Sequence, residues 1–251
     1  MEDKIIISKH NKKFKMLKKL SLPKYRKEMK YFLAEGLKFL SLGIRPKEIF
    51  VSQSFSESEF FNKGLKNLDS ISIISDDLFR ELSSQISSQG VLSLFSVPEE
   101  KNIEGKVVLV LDCIQDPGNL GTIIRTAEYF GVKDIVLCDG SADPYSPKVV
   151  RGSMGAILSV NLVSLSPEKV IYLLKEKNYI VATTSSNDYK QDIRSFNEER
   201  KIALVMGNES RGVSDCFNNS STLSLGIQRV GKGESLNVGV ATSIILSHIL
   251  K

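Results

Sequence analysis

The sequence predicts an α/β protein in which a small N-terminal unit precedes a larger unit built on a parallel sheet. The continuous apolar run Val107–Leu111 is typical of a strand that is buried on both faces of such a sheet. Further short apolar runs follow it, with helical stretches between most of them, which is the alternation expected of an open sheet covered by helices. A content of 41% hydrophobic and 25% charged residues is that of an ordinary globular protein.

The first 97 residues contain their own succession of predicted elements. Residues 10–41 have a helical pattern that is broken at Pro23 and is clearest at Tyr31–Leu40. Strands are predicted at Glu48–Ser52, Ile71–Ile74 and Val91–Val97, and helices at Glu57–Leu68 and Asp76–Leu82. Residues 98–105 are polar and turn-rich, which favours a linker between two domains.

The remaining residues predict the parallel sheet and its helices. Residues 119–130 form an amphipathic helix with one apolar stripe. Strands are predicted at Val107–Leu111, Asp134–Cys138, Ala156–Val160, Tyr179–Thr183 and Ile202–Met206.

The last 25 residues predict a glycine-bearing loop followed by a buried helix. Gly231 and Gly233 permit loop conformations that other residues avoid. The helix is expected to begin at Ser235, because a serine hydroxyl can cap the free amides of a first turn. From Leu236 onward the pattern is apolar on most of the circumference, which predicts burial on several sides.

Composition excludes several classes of protein. No apolar run approaches the ~18–20 residues that span a bilayer, and Ile5–Ile7 is too short for a signal-peptide core. The three cysteines are scattered and odd in number, which favours reduced thiols in a cytoplasmic protein. The two histidines, His10 and His248, are too far apart to suggest a metal site, so no metal is expected.

Positive charge is concentrated at the N-terminus. Residues 1–30 hold eleven basic residues against three acidic ones, a net charge of +8. Because the whole chain carries +5, the other 221 residues carry a net charge of −3. This asymmetry favours a polyanionic partner, most simply nucleic acid, over a lysine-rich tail that only aids solubility.

Three polar segments fall where a ligand of a parallel sheet would bind, at the carboxyl ends of strands. They are residues 112–126, 206–213 and 231–239. None of them contains a dinucleotide fingerprint, a phosphate-binding P-loop or a nucleophile elbow, which argues against NAD, ATP and hydrolase chemistry. Each segment alone has a structural explanation, as a turn, a helix cap or a solvated face, but three together favour a binding site.

The same segments carry a family resemblance. Asn119-x-Gly121 with Arg125, residues 207–212 (Gly-Asn-Glu-Ser-Arg-Gly) and residues 235–238 (Ser-Leu-Asn-Val) resemble, in order and spacing, the three motifs of SpoU-type (TrmH-type) RNA 2′-O-ribose methyltransferases of the SPOUT superfamily. Residues 143–156 resemble the segment between the first two motifs. Residues 24–97, with Phe32-Leu-Ala-Glu-Gly36, resemble the substrate-binding domain that often precedes them. One departure is Gln228-Arg229, where the family commonly has Pro-Met.

The resemblance implies a two-domain α/β enzyme. Residues 1–97 would bind the RNA substrate, 98–105 would link the domains, and 106–251 would form a trefoil-knotted domain that binds S-adenosylmethionine. The implied reaction transfers methyl to a ribose 2′-hydroxyl, with ribosomal RNA favoured over transfer RNA because of the N-terminal domain. A homodimer is implied as well. Two alternatives remain: a non-catalytic RNA-binding or ribosome-assembly protein, and a SPOUT enzyme that methylates a base.

The resemblance also implies the site residues. The catalytic set is Arg125, Asn119, Glu209, Ser235 and Asn237, and the cofactor-binding set is Met206, Gly207, Asn208, Ile227, Ser235 and Leu236. A guanidinium keeps its proton in proteins, so Arg125 is expected to bind phosphate and stabilise the developing alkoxide rather than act as a base. The presence of the catalytic set counts against the non-catalytic alternative.

Overall fold

The computed structural model describes residues 5–64 and 70–250, which divide into two compact units. The first unit contains the residues up to Pro98 together with Tyr145–Gly155. The second unit contains Glu99–Pro144 and the residues from Ala156 onward. The end of the predicted helix Glu57–Leu68 lies outside the described residues. Among the described residues, none of the helices has the length and apolar character that crossing a bilayer requires.

A four-stranded mixed sheet forms the centre of the first unit. Its strands are β1 (Tyr31–Glu35), β2 (Glu48–Ser52), β3 (Ile71–Ile74) and β4 (Val91–Ser96), in the order β1-β4-β2-β3. Strand β4 runs antiparallel to both of its neighbours, whereas β2 and β3 are parallel. The side chains of β4 are buried from Val91 to Phe95, as expected of a central strand.

Helices flank this sheet. They are α1 (Lys12–Lys19), α2 (Pro23–Met29), α3 (Gln53–Ser56), α4 (Glu59–Gly64), α5 (Asp76–Leu82) and α7 (Pro147–Gly152). The Asn11 side chain caps α1 by accepting from the backbone N–H groups of Lys13 and Phe14. Apolar residues of α1, α5, β2 and β4 then pack into one core cluster, which includes Phe14, Phe50 and Phe79.

The predicted helix at Tyr31–Leu40 is wrong. Residues 31–35 form strand β1, in which Phe32 and Ala34 are buried while their neighbours are partly exposed. Only Leu37–Leu40 is helical, as a short 3₁₀ turn. Over so few residues the apolar pattern fits the period of a helix as well as that of a strand. Pairing with β4, which places Phe32 opposite Phe95, makes this segment a strand.

A seven-stranded sheet forms the centre of the second unit, and all of its strand pairs are parallel. The strands are β5 (Val107–Leu111), β6 (Asp134–Cys138), β7 (Asn161–Leu165), β8 (Ile180–Thr184), β9 (Gln191–Asp192), β10 (Ile202–Met206) and β11 (Leu223–Gly226). Their order is β7-β6-β5-β10-β8-β11-β9. Every residue of β5, β6 and β10 is buried, which confirms the predicted parallel α/β architecture.

The helices of this unit are α6 (Pro117–Tyr129), α8 (Pro167–Glu176), α9 (Asp215–Ser220) and α10 (Val238–Ile249). Side chains of α8 and α9, including Leu174 and Phe217, pack with β5, β8 and β10 in one core cluster. The predicted strand at Ala156–Val160 is wrong, because Ala156–Leu158 is a 3₁₀ turn and the strand starts at Asn161. Asn161 pairs with Asp134 of β6, and this register sets where the strand begins.

The C-terminal helix differs from its prediction in two ways. It begins at Val238 instead of Ser235, and its cap is Asn237, whose side chain accepts from the N–H groups of Gly239 and Val240. It is also buried on one side only, because Val240 is 48% exposed while Thr242 and Leu246 are fully buried. The helix packs on α6, where Gly239 lies against the Thr122 side chain.

The segment predicted as a linker is hydrogen-bonded to the second unit over most of its length. The Asp134 carboxylate accepts from the backbone N–H groups of Glu104 (3.0 Å) and Gly105 (2.7 Å). Asn161 exchanges two hydrogen bonds with the backbone of Lys101, at 2.8 and 3.0 Å. Ile103 is buried in the core of that unit. Residues 101–105 therefore form an anchored entry to β5.

Candidate active site

Adjacent strands bring the first two polar segments together. Strands β5 and β10 pair in register, with Leu111 opposite Met206. The backbone continues this pairing one residue further, because the Asp112 N–H donates to the Met206 carbonyl at 2.9 Å. Segments 112–126 and 206–213 therefore leave the sheet side by side, at the edge where open parallel sheets bind their ligands.

The loop after β10 is a tight turn built around Asn208. The backbone groups of Asn208 and Gly212 exchange two hydrogen bonds of 2.9 Å, and the Asn208 side-chain oxygen accepts from the N–H groups of Ser210 and Arg211. Its amide nitrogen donates to the Cys113 carbonyl at 2.9 Å. Asn208 therefore organises the turn and joins it to the loop after β5.

Close backbone packing explains the glycine at the start of this turn. A Cβ on Gly207 would lie 2.2 Å from the Gly212 carbonyl carbon and 2.3 Å from the Val213 nitrogen. Both contacts are with backbone atoms, so a rotamer change cannot relieve them. Gly212 itself has φ of +70°, a conformation that favours glycine. Both glycines are therefore required for the shape of the turn.

Helix α6 begins directly at this edge. Its cap is Asp116, whose carboxylate accepts from the Asn119 N–H at 2.8 Å, and Pro117 occupies the first helical turn. The buried Asp112 carboxylate accepts from the Ser214 N–H at 2.8 Å and so holds the start of α9. Capping at these positions sets the direction of the side chains in the first turn of α6.

Hydrogen bonds between side chains join all three polar segments. The Asn119 amide nitrogen donates to Glu209 Oε1 at 2.7 Å, and the Asn119 Oδ1 oxygen accepts from Asn237 Nδ2 at 2.8 Å. Asn237 also caps α10. Three residues that lie about 90 and 118 positions apart in sequence are thus in direct contact. We refer to Asn119, Glu209 and Asn237 as the amide network.

The two other predicted catalytic residues lie outside this network. Ser235 is exposed, and within residues 5–64 and 70–250 its side chain makes no hydrogen bond. Arg125 is on α6, about 9 Å along the helix axis from Asn119. It is exposed, and it has neither an ion pair nor a hydrogen bond to any described residue.

The predicted cofactor-binding residues lie at three places in the second unit: at the end of β10, directly after β11 and just before α10. Met206 and Gly207 are buried at the end of β10, Asn208 and Ile227 are partly exposed, and Ser235 and Leu236 are exposed. An open cleft of about 560 Å³ lies beside residues 227–236. It is lined by Ser186, Asn187, Tyr189, Gln228, Arg229 and Glu234.

None of these six lining residues belongs to the predicted cofactor-binding set, and three of them lie outside every segment that the sequence analysis singled out. Ser186, Asn187 and Tyr189 follow β8, so they also lie beyond the carboxyl end of a strand, which is the signal that could have found them. Tyr189 packs so closely on Gly226 that a Cβ there would lie 2.0 Å from its ring. The loop after β8 therefore forms one wall of the cleft and the loop after β11 forms the other.

A parallel sheet covered by helices, with a polar network at its carboxyl edge, is the arrangement of α/β domains that bind a small molecule at that edge. Residues 106–247 match the sequence profile of the SpoU rRNA Methylase family. Residues 11–93 match that of the MRM3-like substrate binding domain. The chain belongs to the SpoU rRNA methylase family.

Individual proteins agree with this assignment. The chain is 31% identical to the 23S rRNA (guanosine(2553)-2′-O)-methyltransferase RlmP of Bacillus subtilis, over 98% of this chain and 99% of that protein. A putative TrmH-family RNA methyltransferase from Porphyromonas gingivalis has a similar structure, with 30% identity, a TM-score of 0.80 and coverage of 94% and 95%. An AdoMet-bound rRNA methyltransferase from Sinorhizobium meliloti has 27% identity, a TM-score of 0.83 and coverage of 98% and 96%.

Family membership confirms the activity predicted from the motifs. The protein is an S-adenosylmethionine-dependent RNA 2′-O-methyltransferase, and the non-catalytic and base-methylating alternatives are disfavoured.

Proposed function

We propose that the protein methylates the ribose 2′-hydroxyl of a guanosine in large-subunit ribosomal RNA. The observation that supports an active enzyme is the amide network, in which Asn119, Glu209 and Asn237 are held in contact at one edge of the sheet. The choice of RNA is supported by the full-length similarity to the Bacillus subtilis enzyme and by the substrate-binding domain at residues 11–93.

The cofactor is proposed to lie in the cleft between the loops after β8 and β11. Its volume of about 560 Å³ falls within the roughly 300–1,000 Å³ that small-molecule sites occupy. Backbone groups of Met206, Gly207, Asn208 and Ile227 would hold the adenosine and methionine portions, with Ser235 and Leu236 closing the other side. When bound, S-adenosylmethionine supplies a methyl group that is already activated by its sulfonium.

The protein must then align the ribose hydroxyl and help to remove its proton. Arg125 is assigned to binding the neighbouring phosphate and stabilising the developing alkoxide, because its guanidinium keeps its proton. Asn119 and Ser235 would orient the ribose or Arg125. Glu209 and Asn237 hydrogen-bond to Asn119 and hold its side chain in place. These two residues therefore act through Asn119. No step in this scheme requires a metal.

A homodimer is proposed to complete the site. Arg125 faces solvent on α6, without a partner among the described residues. Apolar side chains are exposed on the same helix pair, with Tyr129 81% and Val240 48% exposed, and Leu236 is 50% exposed just before α10. A second copy that covers this surface would bury the apolar side chains and place its own groups beside Arg125.

The division of labour follows the two halves of the chain. Residues 1–97 are proposed to bind RNA, 98–105 to connect, and 106–251 to form the methyltransferase domain with its trefoil knot. The positive charge of residues 1–30 supports RNA binding by the first part. We place the enzyme in the cytoplasm, where ribosomal RNA is available.

The test uses purified protein, methyl-labelled S-adenosylmethionine and 23S ribosomal RNA transcripts, with the guanosine methylated by the Bacillus subtilis relative as the first position mapped. Methyl is expected on a ribose 2′-oxygen, with activity retained in EDTA. Arg125→Ala should abolish transfer and retain cofactor binding, with stability within about 0.5 kcal/mol of wild type because the side chain is exposed. Methylation of a base, or transfer to transfer RNA alone, would contradict the proposal.

A further inference from the structure

A cluster of polar residues at the edge of the sheet holds the start of the loop that follows β11. The Gln228 Oε1 oxygen accepts a hydrogen bond from the Arg194 guanidinium. Arg194 is itself held by Asp192 through two contacts, Nε to Oδ1 at 2.9 Å and Nη2 to Oδ2 at 3.3 Å. A guanidinium fixed by a carboxylate in this fork is a well-oriented donor.

Asp192 is fixed in turn by the sheet. It belongs to β9, the edge strand, and is paired with Gly226 at the end of β11. Hydrogen bonds from the side chain and backbone of Arg194 hold the pKa of the Asp192 carboxyl below its ordinary value, and the Gln228 backbone N–H acts in the same direction. Residue 228 is therefore held through its side chain by Arg194, which Asp192 orients.

Among the described residues, Arg229 and Asn237 provide two further ties for the rest of the loop. Arg229 Nη1 donates to the carbonyls of Gly233 (3.1 Å) and Glu234 (3.4 Å), which closes the loop on itself. Asn237 joins the end of the loop to Asn119 at 2.8 Å. Residues 228–237 are all exposed, so no core packing orders them. Contacts at the two ends consequently decide whether this wall of the cleft keeps its shape.

We propose that Arg194 and Asp192 are positioning residues for cofactor binding, which hold Gln228 and thereby keep loop 227–237 in the conformation that accepts S-adenosylmethionine. This inference rests on the proposed placement of the cofactor beside that loop. A loop that is already ordered loses less conformational freedom on binding, so affinity rises without a new contact to the ligand. Neither Gln228 nor Arg229 restricts its own backbone as a proline would, so the order must come from these neighbours.

The chain contains a matched control. Arg200 pairs with Glu198 in the same local geometry, with Nε to Oε1 at 2.9 Å and Nη2 to Oε2 at 2.7 Å. It is similarly exposed, with 71% of its side chain accessible against 62% for Arg194. Arg200 makes no hydrogen bond to loop 227–237 within the described residues. Arg200→Ala thus removes an equivalent ion pair and leaves the loop contact intact.

The experiment measures S-adenosylmethionine binding by titration calorimetry for full-length wild type, Arg194→Ala, Gln228→Ala, the double variant and Arg200→Ala. Loss of one hydrogen bond to a charged group should raise Kd about 3- to 10-fold in each single variant. The Kd of the double variant should equal that of the single variant that binds more weakly, because Arg194→Ala and Gln228→Ala remove the same contact. The Kd of Arg200→Ala should stay within about two-fold of the wild-type Kd, because this variant removes no contact with the loop.

Kinetics separate positioning from catalysis. KM for S-adenosylmethionine should rise by the same factor as Kd, with kcat unchanged at saturating cofactor, because the contact acts before the chemical step. A reduced kcat with unchanged Kd would overturn the inference, and so would effects of Arg194→Ala and Gln228→Ala that add in full.

A last variant distinguishes this inference from the placement of the cofactor. Leu236→Asp alters a residue assigned to the cofactor itself. If Leu236→Asp weakens binding and Arg194→Ala does not, the cofactor placement stands and the positioning role is wrong. If neither variant weakens binding, the placement of the cofactor is wrong and the positioning role falls with it.

Discussion

Asn119 uses both ends of its side-chain amide, donating to Glu209 and accepting from Asn237. Aspartate has a similar shape and has no amide donor, so it would place two carboxylates against each other. Asparagine is therefore the residue type that can join a carboxylate on one side to an amide donor on the other. The sequence made all three residues candidates but did not show that they are in contact.

Asn237 has two separable tasks, as helix cap and as part of the amide network. Asn237→Ala should lose both, with a cost of about 1 kcal/mol in stability from the missing cap and a large loss of activity. Asn237→Ser should keep the cap, because serine caps nearly as well, but should lose the contact with Asn119. Thermal unfolding and methyl transfer would be measured for both variants. Full activity in Asn237→Ser would show that the network has no role in catalysis.

Cys138 predicts a pH dependence of stability. Burial, with help from Asp112 and Asp139, raises the pKa of its thiol from 9.0 to about 12. Because the folded state keeps the proton while the unfolded state loses it, stability should fall as pH rises from about 9 toward 12. At pH 10 this effect amounts to about 1.4 kcal/mol.

The measurement compares unfolding of wild type and Cys138→Ala between pH 8 and pH 10. Cys216 and Tyr179, whose pKa values are also raised by burial, remain in both proteins and act in the same direction. Only the difference between the two proteins reports on Cys138. An equal loss of stability in both would contradict the prediction.

The turn after β10 shows how a short element depends on backbone contact. Gly207→Ala would force a Cβ to within 2.2 Å of the Gly212 backbone, so the turn must open. The expected cost is about 1–3 kcal/mol in stability, together with loss of cofactor binding. Gly64→Ala is the control, since a Cβ there meets no described residue within 4 Å. Melting temperatures and titration calorimetry would test both, and a normal melting temperature in Gly207→Ala would show that the turn can relax.

Helix α1 presents lysines on one face. Lys12, Lys15 and Lys19 are exposed at helical spacing, while Phe14 and Leu17 are buried on the opposite side. Buried apolar side chains thus anchor the helix on the first unit and leave the positive charges directed to solvent. This is the arrangement expected of a helix that contacts a phosphate backbone.

Charge on the whole molecule predicts how RNA binding depends on salt. Each phosphate contact on a single strand contributes about −0.7 to the slope of log affinity against log salt. The triple variant Lys12→Gln, Lys15→Gln, Lys19→Gln should therefore have a slope about 2 shallower than wild type. The control is Lys133→Gln, Lys169→Gln, Lys175→Gln, which removes the same charge from exposed positions of the second unit. Equal slopes in the two triple variants would show that α1 does not contact the RNA.

Much of the architecture could be predicted from residue pattern. The runs at β5 and β10 are apolar throughout because both of their faces are buried, and few other structures require this of five consecutive residues. The motifs predicted the family, since three long segments in fixed order rarely coincide. The positions of Asn119, Glu209 and Asn237 in the sequence identified them as candidates.

Only the tertiary structure decided the elements and contacts that depend on distant partners. Residues 31–35 fit a helix or a strand locally, and pairing with β4 made them a strand. Ser235 and Asn237 could both cap a helix. In the folded chain Asn237 is the cap, and its side chain also donates a hydrogen bond to Asn119. The contact of Arg194 with Gln228 spans 34 residues across a sheet edge. Local sequence carries propensity and period, whereas these outcomes depend on which strands become neighbours, and that is a property of the folded chain.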